Sequence, residues 1–289
     1  MTLFEPIPPP EDLRVILKPL DDPGVRLYHY TSGAGLTGIL DGKCLWASNI
    51  HQLNDRSEFT HALELAKVEV NLRKSRFGEE ITSRLIDVID LFAEFSVHVV
   101  SFSEERDSLS QWLSYCPNSL GYCIGFTTDR LSQILIAQGF TLGKCVYDLG
   151  EQRLFASDWA EDSLIKLDKA NAAGAQIDEI NRLMHRYVEP LVLRAPFFKH
   201  PSFSHENEWR AVNLATTDSE NIKLRPGKSM MIQYVEVPLG DLKVEPLIWD
   251  ICVGPTPHPY LAAKSVSLYL NRINFGYGIR SSETSFRGW

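Results

Sequence analysis

His29 lies between Tyr28 and Tyr30 near the end of a short apolar run, in the segment LYHYTSGAGLTGIL. A neutral imidazole donates a hydrogen bond from one ring nitrogen and accepts one at the other. The phenol rings beside it offer flat faces to a planar ligand. The pattern therefore indicates either a histidine aimed from a strand end into a pocket, or one that only completes an edge strand.

The segment HENEWR carries a second set of reactive side chains. In a strand, Glu206, Glu208 and Arg210 share one face, while Asn207 and Trp209 lie on the other. Two carboxylates and a guanidinium are costly to bury unless they pair or meet a ligand. The alternation predicts either a ligand-facing cluster or a salt-bridged sheet surface. We expect a pocket-facing Glu208 to tolerate replacement by Gln, and a core-facing Trp209 not to tolerate Ala.

Three further segments place polar and aromatic residues in or beside apolar strands: LWASNIHQLNDRSE, SFSEERDSLSQWLSY and GIRSSETSFR. Sites usually form where strands end and loops begin. Trp46 and Trp112 are equally typical of core residues, and Asp55 with Glu58 is typical of a helix capping box. The candidate binding residues are Tyr28, Tyr30, Thr31, Ser32, Trp46, Asn49, Asn54, Ser103, Trp112, Tyr115 and Arg210.

Periodicity predicts the elements that must position these side chains. The predicted strands are VRLYHY, CLWASN, SVHVVSFS, GYCIGFT, GKCVYD, EWRAVNL, MMIQYVEVP and IWDICVG, with a closing strand near 278–282. Helices are predicted after Thr31 or Ser32 up to Gly42, after Asp55, over 79–94, in DRLSQILIAQG, as a pair within 151–195 that meets near Gly174, and over 259–272.

The elements alternate irregularly and no internal repeat is present. We therefore predict a single α+β domain over residues 25–289, with a mixed, mainly antiparallel sheet. The helices near 151–195 are predicted as an insertion or appendage. Residues 1–24 contain six prolines, four of them within residues 6–10, and the turn DDPG, and they are predicted as an extended N-terminal segment.

Composition excludes several function classes. A chain of 289 residues with 44% hydrophobic residues is long enough for a sizeable core. Its net charge of −8 weighs against non-specific nucleic-acid binding. We find no secretory signal and no apolar run of the roughly 20 residues that span a bilayer, so a soluble cytoplasmic protein without a membrane partner is expected.

The five cysteines are widely spaced and include no Cys-x-x-Cys pair. This predicts free thiols in the core and neither a disulfide framework nor a cysteine-rich zinc site. His185, His200 and His205 lack converging ligand spacing, so no metal is expected. The sequence also lacks Gly-x-Gly-x-x-Gly and Walker motifs, which argues against those nucleotide sites.

These segments, in this order, resemble the bacterial domain-of-unknown-function family 2971. The shared features are the His-Tyr-Thr-Ser opening, the Leu-Trp-Ala-Ser-Asn strand, the Leu-Asn-Asp-x-x-Glu loop, the Ser-Phe-Ser segment leading to Gln-Trp, the Glu-x-Glu-Trp-Arg strand, the Gly-Pro-Thr turn and a terminal tail with Ser and Arg. The resemblance extends over nearly the whole chain and implies no established activity.

A more remote resemblance is to ADP-ribosyltransferase-like enzymes, such as the DarT toxins and the RNA 2′-phosphotransferases. The shared features are a strand ending in His-x-Thr, a short helix, a glycine and a second strand, with a later glutamate strand. The resemblance implies a core of that type that binds NAD. His29 would then contact a ribose hydroxyl within the motif that ends at Thr31, and either Glu206 or Glu208 would support the reaction.

The implied chemistry suits these residues. Breaking the bond between nicotinamide and ribose passes through an oxocarbenium-like state, which a carboxylate and hydrogen bonds to the sugar stabilise. Arg210 or Arg56 is then the candidate partner of the pyrophosphate. The resemblance implies a transferase acting on an unidentified macromolecule, and a toxin or phage-defence effector fits that activity.

Two other functions stay open. One is a non-catalytic nucleotide-sensing or protein-interaction module, and the other is phosphate transfer without NAD, which needs several Arg or Lys residues in the cleft. An enzyme requires His29 and one glutamate to face the same pocket. A module would leave them apart, or would neutralise the glutamates with Arg210.

Overall fold

The computed structural model describes residues 25–53, 56–116, 121–215, 220–227, 229–242, 247–276 and 278–284. The predicted extended segment, residues 1–24, lies outside these ranges. So do the candidate residue Asn54 and the predicted helix cap Asp55, as well as the side chains of Arg56 and Glu58.

Ten strands of the described residues form one sheet. They are β1 (Arg26–Ser32), β2 (Cys44–Asn49), β3 (Ser96–Ser103), β4 (Gly121–Thr127), β5 (Thr141–Lys144), β6 (Glu208–Ala215), β7 (Ile222–Pro226), β8 (Met231–Pro238), β9 (Ile248–Val253) and β10 (Gly278–Ser281). All the pairings are antiparallel except that of β9 with β10.

The helices of the described residues are α1 (Gly33–Gly42), α2 (Arg56–Leu72), α3 (Lys74–Phe77), α4 (Glu79–Ala93), α5 (Leu109–Tyr115), α6 (Thr128–Ala137), α7 (Leu149–Ala172), α8 (Ile177–Arg194) and α9 (Pro259–Arg272). Three 3-10 segments cover Ile50–Gln52, Ala195–Phe197 and Pro201–Glu206. This mixture around one mainly antiparallel open sheet confirms the predicted α+β class.

The sheet divides beside β3. One edge of β3 pairs with β6 along its whole length. Its other edge pairs with β2 at Val99 and His98, and with β1 only where Ser103 faces Tyr28, as far as the described residues show. The half-sheet of β1, β4, β9 and β10 therefore separates from the remaining strands. We call the gap where β1 and β3 part the junction.

Helices cover both faces of the sheet. α1, α6 and α9 pack on one face, and α2, α4, α7 and α8 form a layer on the other. α4, in the predicted helix 79–94, shows why the sequence folds this way: Ile81, Leu85 and Ile89 recur every four residues and are buried on one stripe. α7 and α8 meet at Gly174, which has a φ of +80°. They pack against α2 and α4, so they belong to this layer and are not an appendage.

The turn after β1 is fixed locally. Ser32 caps α1, because its hydroxyl oxygen accepts a hydrogen bond from the Gly35 amide at 3.1 Å. The helix ends at Gly42, as predicted, and Lys43 follows in the left-handed region with a φ of 50°. Of the two predicted caps, Ser32 is thus the one used, and the direction in which the chain leaves β1 beyond His29 is set.

Candidate functional site

A small cavity opens at the junction. It has a volume of about 40 Å³, which is room for a few water molecules. Its walls come from β1, β3, β6 and α5, and the lining residues are Tyr28, His29, Tyr30, Ser101, Phe102, Gln111, Tyr115 and Glu208. Five of the sequence-predicted site residues therefore meet here.

His29 is held in one protonation state by its neighbours. Its Nδ1 lies 2.9 Å from the carbonyl oxygen of Ser101, which can only accept, so Nδ1 carries the proton. Burial lowers the pKa of His29, which favours the neutral ring. The imidazole packs against Phe102 with ring centroids 5.8 Å apart. Nε2 is therefore the ring's hydrogen-bond acceptor, in a residue that lines the cavity.

Glu208 is an ion-paired carboxylate with 2% of its surface exposed. Its Oε1 accepts from Arg210 Nε at 2.8 Å, and its Oε2 accepts from Lys199 Nζ at 2.7 Å and Arg210 Nη2 at 3.0 Å. Burial alone would raise its pKa, but the charges of Arg210 and Lys199 outweigh burial and lower the pKa to about 2. Glu208 is thus ionised at neutral pH and stabilises positive charge instead of taking up a proton.

Glu206 does not lie on the same strand face as Glu208, contrary to the predicted alternation. It ends the 3-10 segment Pro201–Glu206, and Asn207 then turns the chain with a φ of 42° before β6 begins at Glu208. Asparagine tolerates this left-handed conformation better than most residues. The predicted opposition of Glu208 and Arg210 to Trp209 is confirmed, because Trp209 belongs to the core on the other face.

Lys199 was missed by the sequence analysis, and it joins the two glutamates. Its buried ammonium donates to Glu206 and to Glu208, both at 2.7 Å. The signal that could have revealed it is a lysine inside the apolar run APFFKH, since a buried lysine requires carboxylate partners. Lys199 also lines a second cavity of about 290 Å³, with His61, Leu149, Gln152, Phe198, His200 and Phe203.

Arg210 is committed to this ion-pair group. It is fully buried, chelates Glu208 and donates from Nη1 to the carbonyl oxygen of Pro196. The predicted role of Arg210 in holding a pyrophosphate therefore conflicts with its position. The side chain of Arg56, the other predicted partner, lies outside the described residues.

Tyr30 and Trp112 form the support beneath the cavity. The Tyr30 hydroxyl donates to the Glu105 carbonyl oxygen at 2.6 Å and accepts from the Ser108 amide at 3.0 Å. Trp112 is buried against Tyr30 with ring centroids 4.6 Å apart, and its Nε1 donates to Asp107. Trp112 is thus a core residue and not a platform for a ligand. Tyr115, which is 41% exposed, is the aromatic residue at the cavity edge.

The remaining candidates on β1 to β3 serve the fold. The Ser103 hydroxyl donates to the Glu206 carbonyl oxygen at 2.7 Å. Asn49 caps the 3-10 segment Ile50–Gln52 and donates to Gln233 at 2.8 Å. Trp46 packs on Tyr234, on β2 and β8. Thr31, Ser32, Trp46, Asn49 and Ser103 do not line the cavity, so the structure does not assemble them with His29.

A group of arginines beside the cavity was also missed. Asp250 on β9 is buried and pairs with Arg280 of β10, with Nε and Oδ2 3.0 Å apart. Burial raises its pKa, and Arg280, Arg106 and Arg26 oppose that rise. These residues come from four separate segments, so only the sheet topology reveals the group. We call Arg26, Arg106, Arg280 and Asp250 the arginine group.

The described residues contain no cluster of three or more His, Cys, Asp or Glu side chains that could hold a metal ion. All five cysteines are free thiols; four of them are buried as predicted, and Cys44 is only half-buried. Among the helices that the structure describes, none combines the length and apolarity of a membrane span.

Residues 111–211 match the model of the family described as Protein of unknown function (DUF2971). The predicted family is therefore confirmed over this segment, which begins within α5 and ends within β6. It contains Gln111, Tyr115 and Glu208 of the cavity wall, as well as Lys199 and Arg210. No curated protein and no solved structure matches the chain.

Proposed function

We propose that this chain has an ADP-ribosyltransferase-like core, binds NAD as a substrate at the junction and transfers its ADP-ribose group to an acceptor. One observation carries the proposal: His29 and Glu208, on strands separated only by β3, line the same cavity. When the bond between nicotinamide and ribose breaks, its electron pair leaves with nicotinamide and positive charge develops on the ribose.

The side chains in the cavity suit the sugar end of such a ligand. Nε2 of His29 accepts a hydrogen bond from a ribose hydroxyl, and the ionised Glu208 lies where positive charge is stabilised. The present volume of about 40 Å³ does not admit a nicotinamide ring. Binding therefore requires α5, which carries Gln111 and Tyr115, to move away from β1.

A second candidate is a non-catalytic nucleotide-binding or interaction module, and the ion pairs of Glu208 favour it. The two carboxylates of Glu206 and Glu208 are balanced by Lys199 and Arg210, so the charge of the group sums to zero. This neutralisation is what the sequence analysis expects of a module. The two candidates share the ligand and differ in whether its glycosidic bond is broken.

The cellular setting follows only from the proposed chemistry. A protein that modifies a macromolecule with ADP-ribose fits a cytoplasmic toxin or a phage-defence effector. The residues that line the cavity are proposed to contact the ribose of NAD, so they do not identify the macromolecule that accepts ADP-ribose.

The test is nicotinamide release from NAD by the purified chain, with transfer of labelled ADP-ribose to proteins or nucleic acids of a cell extract. His29→Asn keeps an amide that donates to Ser101 and removes the Nε2 acceptor, so we expect a rate loss of about 10²- to 10³-fold with an unchanged melting temperature. The matched control is His258→Asn, at an exposed position before α9.

Each outcome separates the candidates. Release that depends on His29 supports the transferase. Binding of NAD to the wild type without release or transfer overturns the transferase and supports the module. Neither binding nor release by a folded wild type overturns both.

A further inference from the structure

A row of cross-strand neighbours connects the cavity with the arginine group. Glu208 faces Ser103, Ser103 faces Tyr28, Tyr28 faces Gly125, and Gly125 faces Asp250. Directly paired residues point to the same face of a sheet. Asp250 therefore lies two strand positions from Tyr28, or about 10 Å at the usual strand spacing.

Gly125 lets Tyr28 and Asp250 approach each other over the sheet. A Cβ at this position would lie 2.3 Å from Asp250 Oδ1 and 2.8 Å from Cε1 of Tyr28. Both side chains therefore lean over the glycine from either side. Because Tyr28 also lines the cavity, the cavity and the arginine group share one residue.

Arg280 contacts Asp250, and the charges of Arg106 and Arg26 also act on its carboxylate and oppose the rise of its pKa. Arg280 forms its ion pair, Arg106 follows β3, and Arg26 precedes Tyr28 on the same face of β1. Arg26 also lies 3.5 Å above the centre of the Trp249 ring. Asp107, which follows Arg106 in the chain and accepts a hydrogen bond from the Ser282 hydroxyl, adds a second negative charge, so the three arginines and two carboxylates give a net charge of +1. The structure gives neither Arg26 nor Arg106 an ion pair among the described residues.

Two polar atoms of the group have no hydrogen-bond partner among the described residues. They are Asp250 Oδ1 and Arg106 Nε, both shielded from solvent. Buried polar atoms are nearly always bonded, so the orphaned guanidinium nitrogen of Arg106 points to a missing acceptor, whereas the orphaned oxygen of Asp250 requires a donor. Guanidinium forks match the oxygens of phosphate.

We propose that Arg26, Arg106 and Arg280 bind the two phosphate groups of a nucleoside diphosphate-ribose whose terminal ribose lies at the junction cavity. The proposal rests on the proposed function for the sugar in the cavity, while the arginine group alone carries the phosphates. Asp250 holds the guanidinium groups in place through its negative charge. Tyr28 lies between the phosphate groups and the sugar.

Calorimetric titration of the full chain with ADP, inorganic pyrophosphate and adenosine tests the assignment. We expect ADP and pyrophosphate to bind, with affinity that falls as salt rises. Arg106→Gln should weaken ADP about tenfold or more and leave the binding of adenosine unchanged. Arg272→Gln is the control, because it removes the same charge from α9 on the opposite face.

Melting curves show whether Arg106→Gln is folded, and Arg26→Gln serves as a second variant on another element. Equal affinity for ADP in both variants and the wild type overturns the assignment, as does a failure of both ADP and pyrophosphate to bind at low salt. If pyrophosphate binds as tightly as ADP, the nucleoside contributes nothing to binding. The site is then one for free phosphates, and the nucleoside part of the proposal is overturned.

The two proposals fail separately. Arginine-dependent ADP binding without nicotinamide release overturns the transferase and leaves the phosphate site intact. Nicotinamide release with an unchanged ADP affinity in both arginine variants overturns the phosphate site alone.

Discussion

Glu208 and Asp250 lie in one cross-strand row, and each has 2% of its surface exposed. Glu208 uses both oxygens in hydrogen bonds to Lys199 and Arg210. Asp250 has one ion pair, with Arg280, and one oxygen without a partner among the described residues. The pKa of Glu208 is lowered and that of Asp250 is raised. The first carboxylate completes an internal network, while the second organises a group that can still accept a ligand.

The largest expected difference between the two carboxylates is in stability. Glu208→Gln leaves the buried charges of Lys199 and Arg210 with Glu206 alone, so we expect the free energy of unfolding to fall by about 3–5 kcal/mol. This replaces the sequence-based expectation that Gln is tolerated there. Asp250→Asn removes one ion pair to a half-exposed arginine but also a charge that burial disfavours, so we expect the free energy of unfolding to change by less than about 1 kcal/mol.

Urea unfolding of both variants measures this difference. Equal losses would contradict the distinction between a completed network and an open one. Trp209→Ala is the reference for a buried truncation, with an expected loss of about 3–5 kcal/mol.

Glu208 and Asp250 also differ in how their contributions to stability depend on pH. The pKa of Glu208 is about 2 in the folded chain and about 4.5 in its ordinary state. Its contribution, about 3 kcal/mol, is therefore complete above pH 4.5 and is lost as the pH falls towards 2. The pH-dependent contribution of Asp250 to stability has the opposite sign. Its pKa is raised in the folded chain, so its protonation at low pH favours the folded state. Between pH 4.5 and pH 2, the wild type should lose about 3 kcal/mol more of its free energy of unfolding than Glu208→Gln.

His98 extends the comparison to a histidine. It is buried, and neither ring nitrogen has a hydrogen-bond partner among the described residues. Burial lowers its pKa to about 4, so the unfolded chain takes up a proton first as the pH falls from about 6.5. We expect a stability loss of up to about 3 kcal/mol between pH 6.5 and 4. His98→Leu should abolish this loss. If the variant and the wild type lose the same stability between pH 6.5 and 4, protonation of His98 is not the cause.

The smallest effect on stability is expected at His29, where the conservative change to Asn keeps the donor to Ser101. We expect the free energy of unfolding to change by less than about 1 kcal/mol, since the hydrogen bond is retained. Thermal melts measure it. A large loss would indicate that His29 serves the fold, which is the alternative left open by the sequence.

Local patterns predicted much of this molecule, because each depends on neighbours in the chain. The helix over 79–94, the start of α1 after Ser32 and the opposite faces of Glu208 and Trp209 are of this kind. The predicted position of Glu206 was wrong because Asn207 does not have a strand conformation. Its left-handed backbone ends the strand alternation, so the alternation does not extend back to Glu206. His29 and Glu208 line one cavity, but the predicted strand-end position is wrong for His29, which is the middle residue of β1, and holds only for Glu208 at the start of β6.

The rest depends on topology that no local pattern contains. β1 and β2 both pair with the same edge of β3. The carbonyl oxygen of Ser101 on β3 is therefore within hydrogen-bond distance of His29 on β1. Arg106 and Arg280 are separated by more than half of the chain and meet through the order of strands. Lys199 had a local signal, but its partner Glu208 could be identified only from the folded chain.

Calorimetric titration of the wild type, His29→Asn and Arg106→Gln with ADP-ribose and with ADP tests whether the cavity and the arginine group form one binding site. One site along the row from Glu208 to Asp250 predicts that both substitutions weaken ADP-ribose, whose terminal ribose reaches the cavity. Only Arg106→Gln should weaken ADP, which lacks that ribose. ADP-ribose affinity that is the same in the wild type and in His29→Asn, or no binding of either ligand to the folded wild type, would contradict the account.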